Sequence, residues 1–193
     1  MKKAAVVGPR RSKPKTPPGG DKGDAPVRVE VEASRPEDRT AIGEIVRRSG
    51  VFSAEEGETV YELFDEYLES DDSGYEWLSA RIAGKLAGFI CFGSTPLTQG
   101  GFDLYWICTD PEHQAHGVGR RLFDAMESGI RKQGGRLVMI WTSAAEEYLP
   151  SHRFYERMGC GLDATIRDYY RPGEDLLVFV KYYPPRDAAK ASP

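Results

Sequence analysis

The sequence predicts a mixed α/β domain in which a central sheet of about seven mostly antiparallel strands is flanked by helices. Short segments rich in β-branched and aromatic residues recur along the chain and are bounded by glycine and proline, as is typical of strands. Between them, apolar residues recur every three or four positions, which indicates amphipathic helices. The predicted order, β-α-α-β-β-β-α-β-α-β-β, has no internal repeat and favours a sheet with helices packed against it.

Length and composition indicate one globular domain. The chain has 193 residues, of which 40% are hydrophobic, enough for a sizeable core. No apolar run approaches the roughly 18 residues that span a membrane, and the apolar stretch near the N-terminus is too short for a signal peptide. The three cysteines are widely spaced and form no zinc or CxxC pattern. We therefore expect a cytoplasmic protein with no membrane partner and no metal.

Charge is distributed unevenly along the chain. Residues 1–26 contain seven Lys or Arg and two Asp, a charge of +5, whereas the whole chain carries −4, so residues 27–193 carry −9. The Lys, Pro and Gly content of residues 1–26 predicts a disordered basic tail, with contact to nucleic acid or membrane as the alternative. The domain is predicted over residues 27–183, and residues 184–193 form a short tail. An acidic domain disfavours nucleic acid as the main ligand and suits a cationic amine.

The first third of the chain predicts one strand and two helices. Val27–Ala33 alternates apolar and charged residues, as a half-exposed strand does. Ser34 and Glu37 have the spacing of a capping box and predict a helix that Gly50 ends. Ala54–Ser70 has an apolar stripe at helical spacing. Its many acidic residues either form a solvated face or line the rim of a substrate cleft.

The middle of the chain predicts three strands and a helix. Tyr75–Ile82 and Leu86–Phe92 flank an Ala-Gly-Lys turn and read as a hairpin. Phe102–Thr109 is dense in aromatic and β-branched residues, which predicts a strand, and the Asp-Pro pair that follows ends it. After a glycine-containing loop, apolar residues at every fourth position predict a helix that runs to about Gln133.

The last third predicts a strand, a helix and a closing hairpin. Arg136–Trp141 is a short apolar strand that belongs deep in the sheet. Glu147–Met158 predicts a helix, with Pro150 either in its first turn or marking a slightly later start. Ala164–Tyr170 and Leu176–Tyr182 are two strands joined by a turn that contains Pro-Gly.

Two glycines, Gly117 and Gly119, stand at the predicted N-terminus of the helix that follows the central strand. Glycine lets backbone N–H groups approach a ligand closely, and the helix dipole adds positive character there, so a phosphate or pyrophosphate would fit. The pattern is too short for the dinucleotide fingerprint and lacks the Gly-Lys-Ser/Thr of a P-loop. An ordinary connection between strand and helix is the alternative.

The two glycines belong to a longer pattern, Gln114-x-x-Gly117-x-Gly119-Arg120-Arg121-Leu122, which a strand and Asp-Pro precede. This pattern resembles the acetyl-CoA-binding motif of the Gcn5-related N-acetyltransferase (GNAT) superfamily. A second segment is similar to the GNAT helix that carries a Phe-Tyr pair and ends at glycine: Ser151-x-Arg153-Phe154-Tyr155-x-x-x-Gly159. The resemblance covers residues 27–183 and implies the GNAT fold, in which two central strands splay apart.

The resemblance implies acetyl transfer from acetyl-CoA to an amine through a ternary complex. It assigns binding of the pyrophosphate to the loop residues Gln114, Ala115, His116, Gly117, Val118, Gly119 and Arg120. The pantetheine arm would pair with the strand backbone at Ile107, Cys108 and Thr109, and an N–H near Ile107 would stabilise the oxyanion. Many GNATs have a CoA-binding asparagine where this chain has Tyr148, so Ser151 is expected to make that contact.

Two residues match the GNAT positions that act as general acid and general base. Tyr155 matches the general acid that protonates the leaving thiolate, and core packing is the alternative for this side chain. Asp103, eleven residues before Gln114, matches the position of a glutamate base in some GNATs. Because aspartate is shorter, a bridging water is expected, and the alternative is that Asp103 only orients the amine. By strand alternation Asp103 shares a face with Tyr105 and Ile107.

Aromatic residues are candidates for the acceptor pocket, since their rings suit an ammonium group. Core packing is the alternative for each of Tyr75, Trp77, Tyr105, Trp106, Tyr148, Tyr169 and Tyr170. The histidines form no metal-binding pattern. His152 is read as a surface residue, or as a partner of Tyr155 one helical turn away.

We therefore expect an enzyme that acetylates a small-molecule amine or an amino acid. Acetylation of a protein N-terminus or lysine is the alternative within the same chemistry. A non-catalytic acyl-CoA sensor is the alternative outside it, although such a module needs neither Asp103 nor Tyr155. The resemblance also suggests a homodimer formed through the late strands.

Overall fold

The computed structural model of the protein describes residues 27–184, apart from residues 71 and 115. The tail predicted over residues 1–26, most of the predicted C-terminal tail and Ala115 lie outside this described part. Its strands are β1 (Val29–Ala33), β2 (Tyr75–Ile82), β3 (Lys85–Ser94), β4 (Gly101–Thr109), β5 (Leu137–Ser143), β6 (Gly161–Arg171) and β7 (Glu174–Tyr182). Its α-helices are α1 (Asp38–Ser49), α2 (Ala54–Glu69), α3 (Val118–Lys132) and α4 (Leu149–Arg157), and two 3₁₀ turns cover Pro111–His113 and Glu146–Tyr148.

The seven strands form one sheet in the order β1-β2-β3-β4-β5-β7-β6. Neighbouring strands are antiparallel except β4 and β5, which are parallel because α3 carries the chain back to the same end of the sheet. The predicted element order and the mixed, mostly antiparallel sheet are confirmed. The insertion of β7 between β5 and β6 was not predicted.

Helices cover both faces of the sheet. On one side, which we call the α3 face, residues of α3 and α4 share a core cluster with β4 and β5, for example Leu122, Met126 and Ile140. On the opposite side, the α1–α2 face, Ile45 of α1 and Phe64 of α2 pack in a second cluster. Residues of β5, β6 and β7 form a third cluster that contains no helical residue. This cluster marks the half of the α1–α2 face that β5, β6 and β7 form. The absence of helical residues from the cluster leaves room for a cavity there.

The two central strands separate after a short stretch of pairing. β4 pairs with β5 only from Gly101–Leu104 to Leu137–Ile140. Beyond those residues β4 stays paired with β3, and β5 stays paired with β7 as far as Ser143. Within the described chain, the second halves of β4 and β5 therefore face a gap with unpaired backbone, and the predicted splay is confirmed.

A β-bulge in β4 changes which side chains share a face. Cys91 pairs with Trp106 and Phe92 pairs with Leu104, so Tyr105 is an extra residue on β4. As a result Tyr105 and Trp106 both pack on the α1–α2 face, whereas Ile107 packs on the α3 face. The prediction that Ile107 shares a face with Asp103 is wrong, because alternation does not hold across a bulge.

The start of α1 differs from the prediction. Ser34 does not cap α1: its hydroxyl lies 2.8 Å from that of Ser79, and α1 begins only at Asp38 with no side-chain cap. The capping box belongs to α2 instead. There Ser53 N–H donates to the Glu56 carboxylate at 2.8 Å and Glu56 N–H donates to the Ser53 hydroxyl at 3.2 Å.

α4 begins at Leu149, which is the later of the two predicted starts, with proline in its first turn. None of the helices in the described part of the chain combines the length and apolar character that crossing a membrane requires.

Candidate active site

The loop before α3 ends in a backbone conformation that favours glycine. Gly117 is the N-terminal cap of α3, with φ 73° and ψ 15°, and a Cβ at this position would meet no atom within 4 Å. The first bond of the helix runs from Arg121 N–H to the Gly117 carbonyl, at 3.0 Å. The N–H groups of residues 118–120 therefore precede the intrahelical bonds and are available at the helix end, as an anion-binding site requires.

Close packing holds this helix end against both β4 and α4. A Cβ built on Gly119 would lie 3.4 Å from the Phe154 ring and 3.5 Å from Thr109 Cγ2. Val118 is buried, whereas Arg120 is exposed and lies 3.6 Å from Asp124. The two motifs recognised in the sequence therefore meet in the fold.

The other predicted residues of the loop differ in exposure. Gln114 is partly buried, and His116 is exposed, with its Nδ1 3.2 Å from the His113 carbonyl oxygen. Ala115 lies outside the described residues. The positive end of the α3 dipole and the exposed Arg120 guanidinium give this end of the loop a favourable potential for an anion.

An ion pair between layers anchors the start of the loop. The buried carboxylate of Asp110 accepts Glu112 N–H at 3.0 Å and contacts the Arg48 guanidinium at 2.5 Å. Arg48 lies in the last turn of α1, so this helix holds the end of β4 and the loop in register. Sequence reasoning missed Arg48, because no local pattern links positions so far apart in the chain.

The backbone predicted to bind pantetheine lies on the splayed half of β4. Ile107, Cys108 and Thr109 pair with β3 on one side, and within the described chain no strand pairs with their other edge. An extended chain with amide groups can add to such an edge. Burial raises the pKa of the Cys108 thiol, which therefore stays neutral, so this residue offers its backbone and not a thiolate.

Tyr155 projects from α4 into the core of the α3 face. It is fully buried and belongs to the same cluster as Leu104, Ile107 and Ile140. These three residues bracket the point where β4 and β5 separate, so Tyr155 belongs to the core that underlies the splay, and its ring centroid lies 5.6 Å from that of Phe179. Ser151, one helical turn earlier, is also fully buried.

His152 is buried and not a surface residue as the sequence suggested. Its Nε2 lies 2.9 Å from the Ser143 carbonyl oxygen, and its ring stacks on Phe179 with 5.5 Å between centroids. Burial lowers the pKa of His152, although the Ser143 carbonyl and Glu156 oppose this shift. A neutral imidazole that donates to Ser143 fits this environment.

Asp103 lies on the opposite face of the sheet from Tyr155. One carboxylate oxygen accepts the Thr95 hydroxyl at 2.6 Å, and the other accepts the Trp141 indole N–H at 3.0 Å. Of the two residues predicted to share its face, Tyr105 does and Ile107 does not. The two catalytic candidates thus lie on opposite faces of the sheet.

A cavity of about 590 Å³ opens on the α1–α2 face beside the splay, and we call it the Trp106 cavity. Its walls come from the start of α2, the 3₁₀ turn before α4 and the hairpin between β6 and β7. Its charged and aromatic lining consists of Glu55, Glu56, Trp106, Glu147, Tyr148, Tyr170, Arg171 and Glu174. The cavity therefore reaches the splayed part of β4 from the side opposite α3.

Two phenols in this cavity stay protonated at neutral pH. Burial raises the pKa of Tyr148 and of Tyr170, and the nearby carboxylates of Glu56 and Glu174 raise both further. Both hydroxyls can therefore donate hydrogen bonds to a ligand. Glu56 of α2 and Glu174 of β7 both line the cavity, so acidic groups from these two elements converge there.

Only part of the predicted aromatic set lines the cavity. Trp106, Tyr148 and Tyr170 do, whereas Tyr75, Trp77 and Tyr105 pack in the α1–α2 core and Tyr169 is exposed on β6. Sequence reasoning missed Glu147, Arg171 and Glu174. No local signal marks these residues. Arg171 and Glu174 reach the cavity because β7 inserts beside β5, and Glu147 reaches it from the 3₁₀ turn before α4.

Comparison with known proteins agrees with this architecture. The family described as "Acetyltransferase (GNAT) family" matches residues 40–160. A structure assigned to the GNAT family, from Desulfovibrio desulfuricans, is 35% identical, covers 80% of this chain and 99% of its own, and superposes with a TM-score of 0.78.

Two further proteins resemble the chain at lower sequence identity. The ribosomal protein bS18-alanine N-acetyltransferase of Escherichia coli (strain K12) is 27% identical over 108 residues, which are 55% of this chain and 69% of that protein. The PaiA N-acetyltransferase from Thermoplasma acidophilum, in complex with coenzyme A, shares the fold with a TM-score of 0.64 at 20% identity, over 81% of this chain and 99% of its own.

The family match spans more than half of the chain and contains both sequence motifs. The structure has a glycine-capped helix end, which suits an anion, and within its described part a strand edge without a pairing strand, to which an amide-bearing chain can add. Acetyl-CoA is accordingly the co-substrate, and the chain belongs to the GNAT family of acetyltransferases.

Proposed function

We propose that the protein transfers the acetyl group of acetyl-CoA to the primary amine of a small molecule or amino acid, by direct attack in a ternary complex. The observation that carries this proposal is the splay between β4 and β5. It connects the strand edge and helix end suited to the cofactor with the acidic Trp106 cavity on the other face. A cationic amine in the cavity can thereby reach a thioester held in the splay.

On the cofactor side, the chain positions and polarises the thioester. The N–H groups at the start of α3 and the side chain of Arg120 hold the pyrophosphate. The backbone of Ile107, Cys108 and Thr109 pairs with the pantetheine arm, and Ser151 adds a contact from α4. Bound acetyl-CoA supplies an activated acyl carbon, and an N–H near Ile107 stabilises the charge that develops on its oxygen.

Proton transfers complete the reaction on both sides of the splay. The amine nitrogen bonds to the acyl carbon, the carbon–sulfur bond breaks, and Tyr155 donates its hydroxyl proton to the departing thiolate. The acylated nitrogen then releases its extra proton, and a proton from solvent returns the tyrosinate to its neutral form. Asp103 removes a proton from the incoming ammonium through a bridging water, the alternative being that it only orients the amine. Thr95 and Trp141 hold its carboxylate in place for either role.

A protein N-terminus is the second candidate acceptor, because a relative from Escherichia coli is named as an alanine N-acetyltransferase of a ribosomal protein. The cavity supports the small-molecule assignment, since it is bounded by the start of α2, a 3₁₀ turn and a hairpin. Acetylation of a peptide with an N-terminal alanine, at a kcat/KM above that of every small amine, would favour the second candidate.

The test is release of CoA thiol by the purified protein with acetyl-CoA and a panel of small amines, amino acids and short peptides. Turnover of small amines supports the proposal. Calorimetry with acetyl-CoA alone is the control: binding without thiol release from any acceptor would indicate a non-catalytic sensor of acyl-CoA.

A further inference from the structure

A chain of hydrogen bonds joins the lining of the Trp106 cavity to α4, which packs on the α3 face. Glu174, the first residue of β7, lines the cavity, and one of its carboxylate oxygens lies 2.6 Å from the Arg171 guanidinium. The other oxygen accepts the Ser143 hydroxyl at 2.6 Å. The Ser143 carbonyl oxygen in turn lies 2.9 Å from His152 Nε2. We call Glu174, Ser143 and His152 the crossing network.

Ser143 is the centre of this network. It is the last residue of β5, is fully buried and pairs with Leu176 of β7. Besides donating to Glu174, its hydroxyl accepts the Ala145 N–H at 3.0 Å, at the start of the turn that leads to α4. A buried polar network whose members are hydrogen-bonded holds its elements rigidly. Ser143 therefore fixes the end of the splayed half of β5 to both β7 and the approach to α4.

The Ser143 carbonyl also determines which nitrogen of His152 carries a proton. A carbonyl oxygen can only accept, so Nε2 must donate. Burial lowers the pKa of His152, so the ring is neutral at pH 7 and Nε2–H is its single donor. The imidazole therefore makes a directed bond from α4 to the end of β5.

His152 and Tyr155 are neighbours on one side of α4, about one helical turn apart. Both pack against the ring of Phe179, with centroid distances of 5.5 Å and 5.6 Å. The helix has only nine residues, and its first turn has no side-chain cap. Because α4 is so short, a change at His152 would rotate or slide the turn that carries Tyr155.

We infer that His152 is a positioning residue for acetyl transfer: held by Ser143 and Glu174, it fixes α4 so that the Tyr155 hydroxyl can protonate the departing thiolate. This inference rests on the proposed function and adds the crossing network to it. Tyr155 remains the residue that meets the reacting atoms. The network begins at a residue that lines the cavity, so the position of the acid depends on a contact made on the acceptor side.

Two substitutions separate the hydrogen bond of His152 from its ring. His152→Leu removes the donor, whereas His152→Gln keeps an amide N–H at nearly the position of Nε2. NMR of the protein without acetyl-CoA, isotope-labelled at tyrosine Cζ, should show a displaced Tyr155 signal in His152→Leu and a nearly unchanged one in His152→Gln. Tyr155→Phe assigns that signal, and Tyr183, from the same cluster, is the reference.

Kinetics tests whether the displacement matters for the reaction. The donor is acetyl-CoA, and the acceptor is the small amine of highest kcat/KM in the panel. We expect His152→Leu to lower kcat by roughly tenfold or more, because small displacements of a reacting group are costly, while calorimetry shows unchanged affinity for acetyl-CoA. His152→Gln should retain most of the wild-type kcat.

A double-mutant cycle distinguishes positioning from general damage to the fold. In the Tyr155→Phe background the acid is absent, so His152→Leu should lower kcat no further. A merely structural defect would lower kcat by the same factor in both backgrounds. If His152→Leu does not fold, the same cycle is measured with Ser143→Ala, which removes the hydroxyl and retains the carbonyl.

The arm of the network on β7 has a matched control. Glu174→Leu removes the acceptor of the Ser143 hydroxyl and should lower kcat. Asp175→Asn, at the next position, should not, because the Asp175 carboxylate accepts the Asp168 N–H at 2.9 Å within the final hairpin. Equal kcat values for these two variants would remove Glu174 from the network.

Two results would overturn the inference in distinguishable ways. Equal kcat values and equal Tyr155 signals in His152→Leu and His152→Gln would refute the positioning role and leave the proposed acetyl transfer intact. Absence of thiol release by the wild type with every acceptor would refute the proposed function and this inference together.

Discussion

Trp106 owes its position to a single extra residue in β4. Without the bulge at Tyr105, alternation would turn Trp106 toward the α3 face and Ile107 toward the α1–α2 face. With the bulge, the Trp106 indole lies on the α1–α2 face, where the Trp106 cavity opens. The apolar Ile107 side chain lies on the α3 face. One inserted residue thus assigns neighbouring side chains to different halves of the site.

The proposed acid can be tested at Tyr155. The change Tyr155→Phe removes only the hydroxyl, so we expect kcat to fall by roughly 10²-fold or more while the affinity for acetyl-CoA is retained. Tyr183→Phe is the matched control, because Tyr183 is buried in the same cluster. Steady-state kinetics and calorimetry of both variants provide the comparison, and equal kcat values for the two would remove Tyr155 from the mechanism.

Asp103 can be tested through the pH dependence of the rate. Asparagine preserves the size of the side chain but does not accept a proton, so Asp103→Asn should lower kcat/KM by roughly 10²-fold and change the shape of its pH profile. A small loss with an unaltered profile would mean that Asp103 only orients the amine.

His152 predicts a pH dependence of stability. Its folded-state pKa is lowered from the ordinary value of 6.5, mainly by burial, so the unfolded chain binds a proton more readily. The neutral imidazole stabilises the fold fully above pH 6.5, and this contribution is lost as the pH falls through the folded pKa, with a slope of up to about 1.4 kcal/mol per pH unit.

Urea unfolding between pH 7.5 and 5 measures this effect. His152→Gln should flatten the dependence, and His116→Gln, at an exposed position, should not. An unchanged slope in His152→Gln would place the titrating group elsewhere.

At the scale of elements, α1 is coupled to the cofactor loop through one ion pair. Arg48→Met leaves the buried carboxylate of Asp110 without its guanidinium, which is costly for a group exposed by only 4%. We expect a lower Tm and weaker binding of acetyl-CoA, because Asp110 also fixes the turn that leads into the loop. Arg47→Met, at the neighbouring exposed position, is the control. If the two variants have the same Tm and the same affinity for acetyl-CoA, the ion pair does not couple α1 to the loop.

The final hairpin has one strand with an open edge. β6 is exposed along nearly its whole length, with Leu162 53% and Ile166 45% exposed. Edge strands of this kind pair readily with another chain, and we propose that two copies associate here, as the sequence resemblance suggested. Light scattering should then give twice the 21.5 kDa chain mass and a return to one mass in Ile166→Lys; a monomer at all concentrations would refute the pairing.

At the scale of the whole molecule, the sequence predicts what depends on local pattern. Periodicity, glycine and proline identify nearly every helix and strand, and the string around Gly117 predicts the helix end that the structure shows. Contacts between distant segments leave no such pattern. The Arg48–Asp110 pair, the extra residue at Tyr105 and the convergence of Glu147 with Glu174 all arise from tertiary packing, and reading the chain in order did not predict them.

The most direct test of the account is calorimetric titration of acetyl-CoA into the wild type and two matched variants. Gly117→Glu places a carboxylate at the N-terminal end of α3, and Gly134→Glu places one just beyond its C-terminal end. Both glycines have φ in the left-handed region, 73° and 77°, and open space around a Cβ, so both variants carry similar backbone strain. We predict that binding is lost in Gly117→Glu and retained in Gly134→Glu. Equal binding by the two variants would contradict the assignment of the cofactor to this end of the helix.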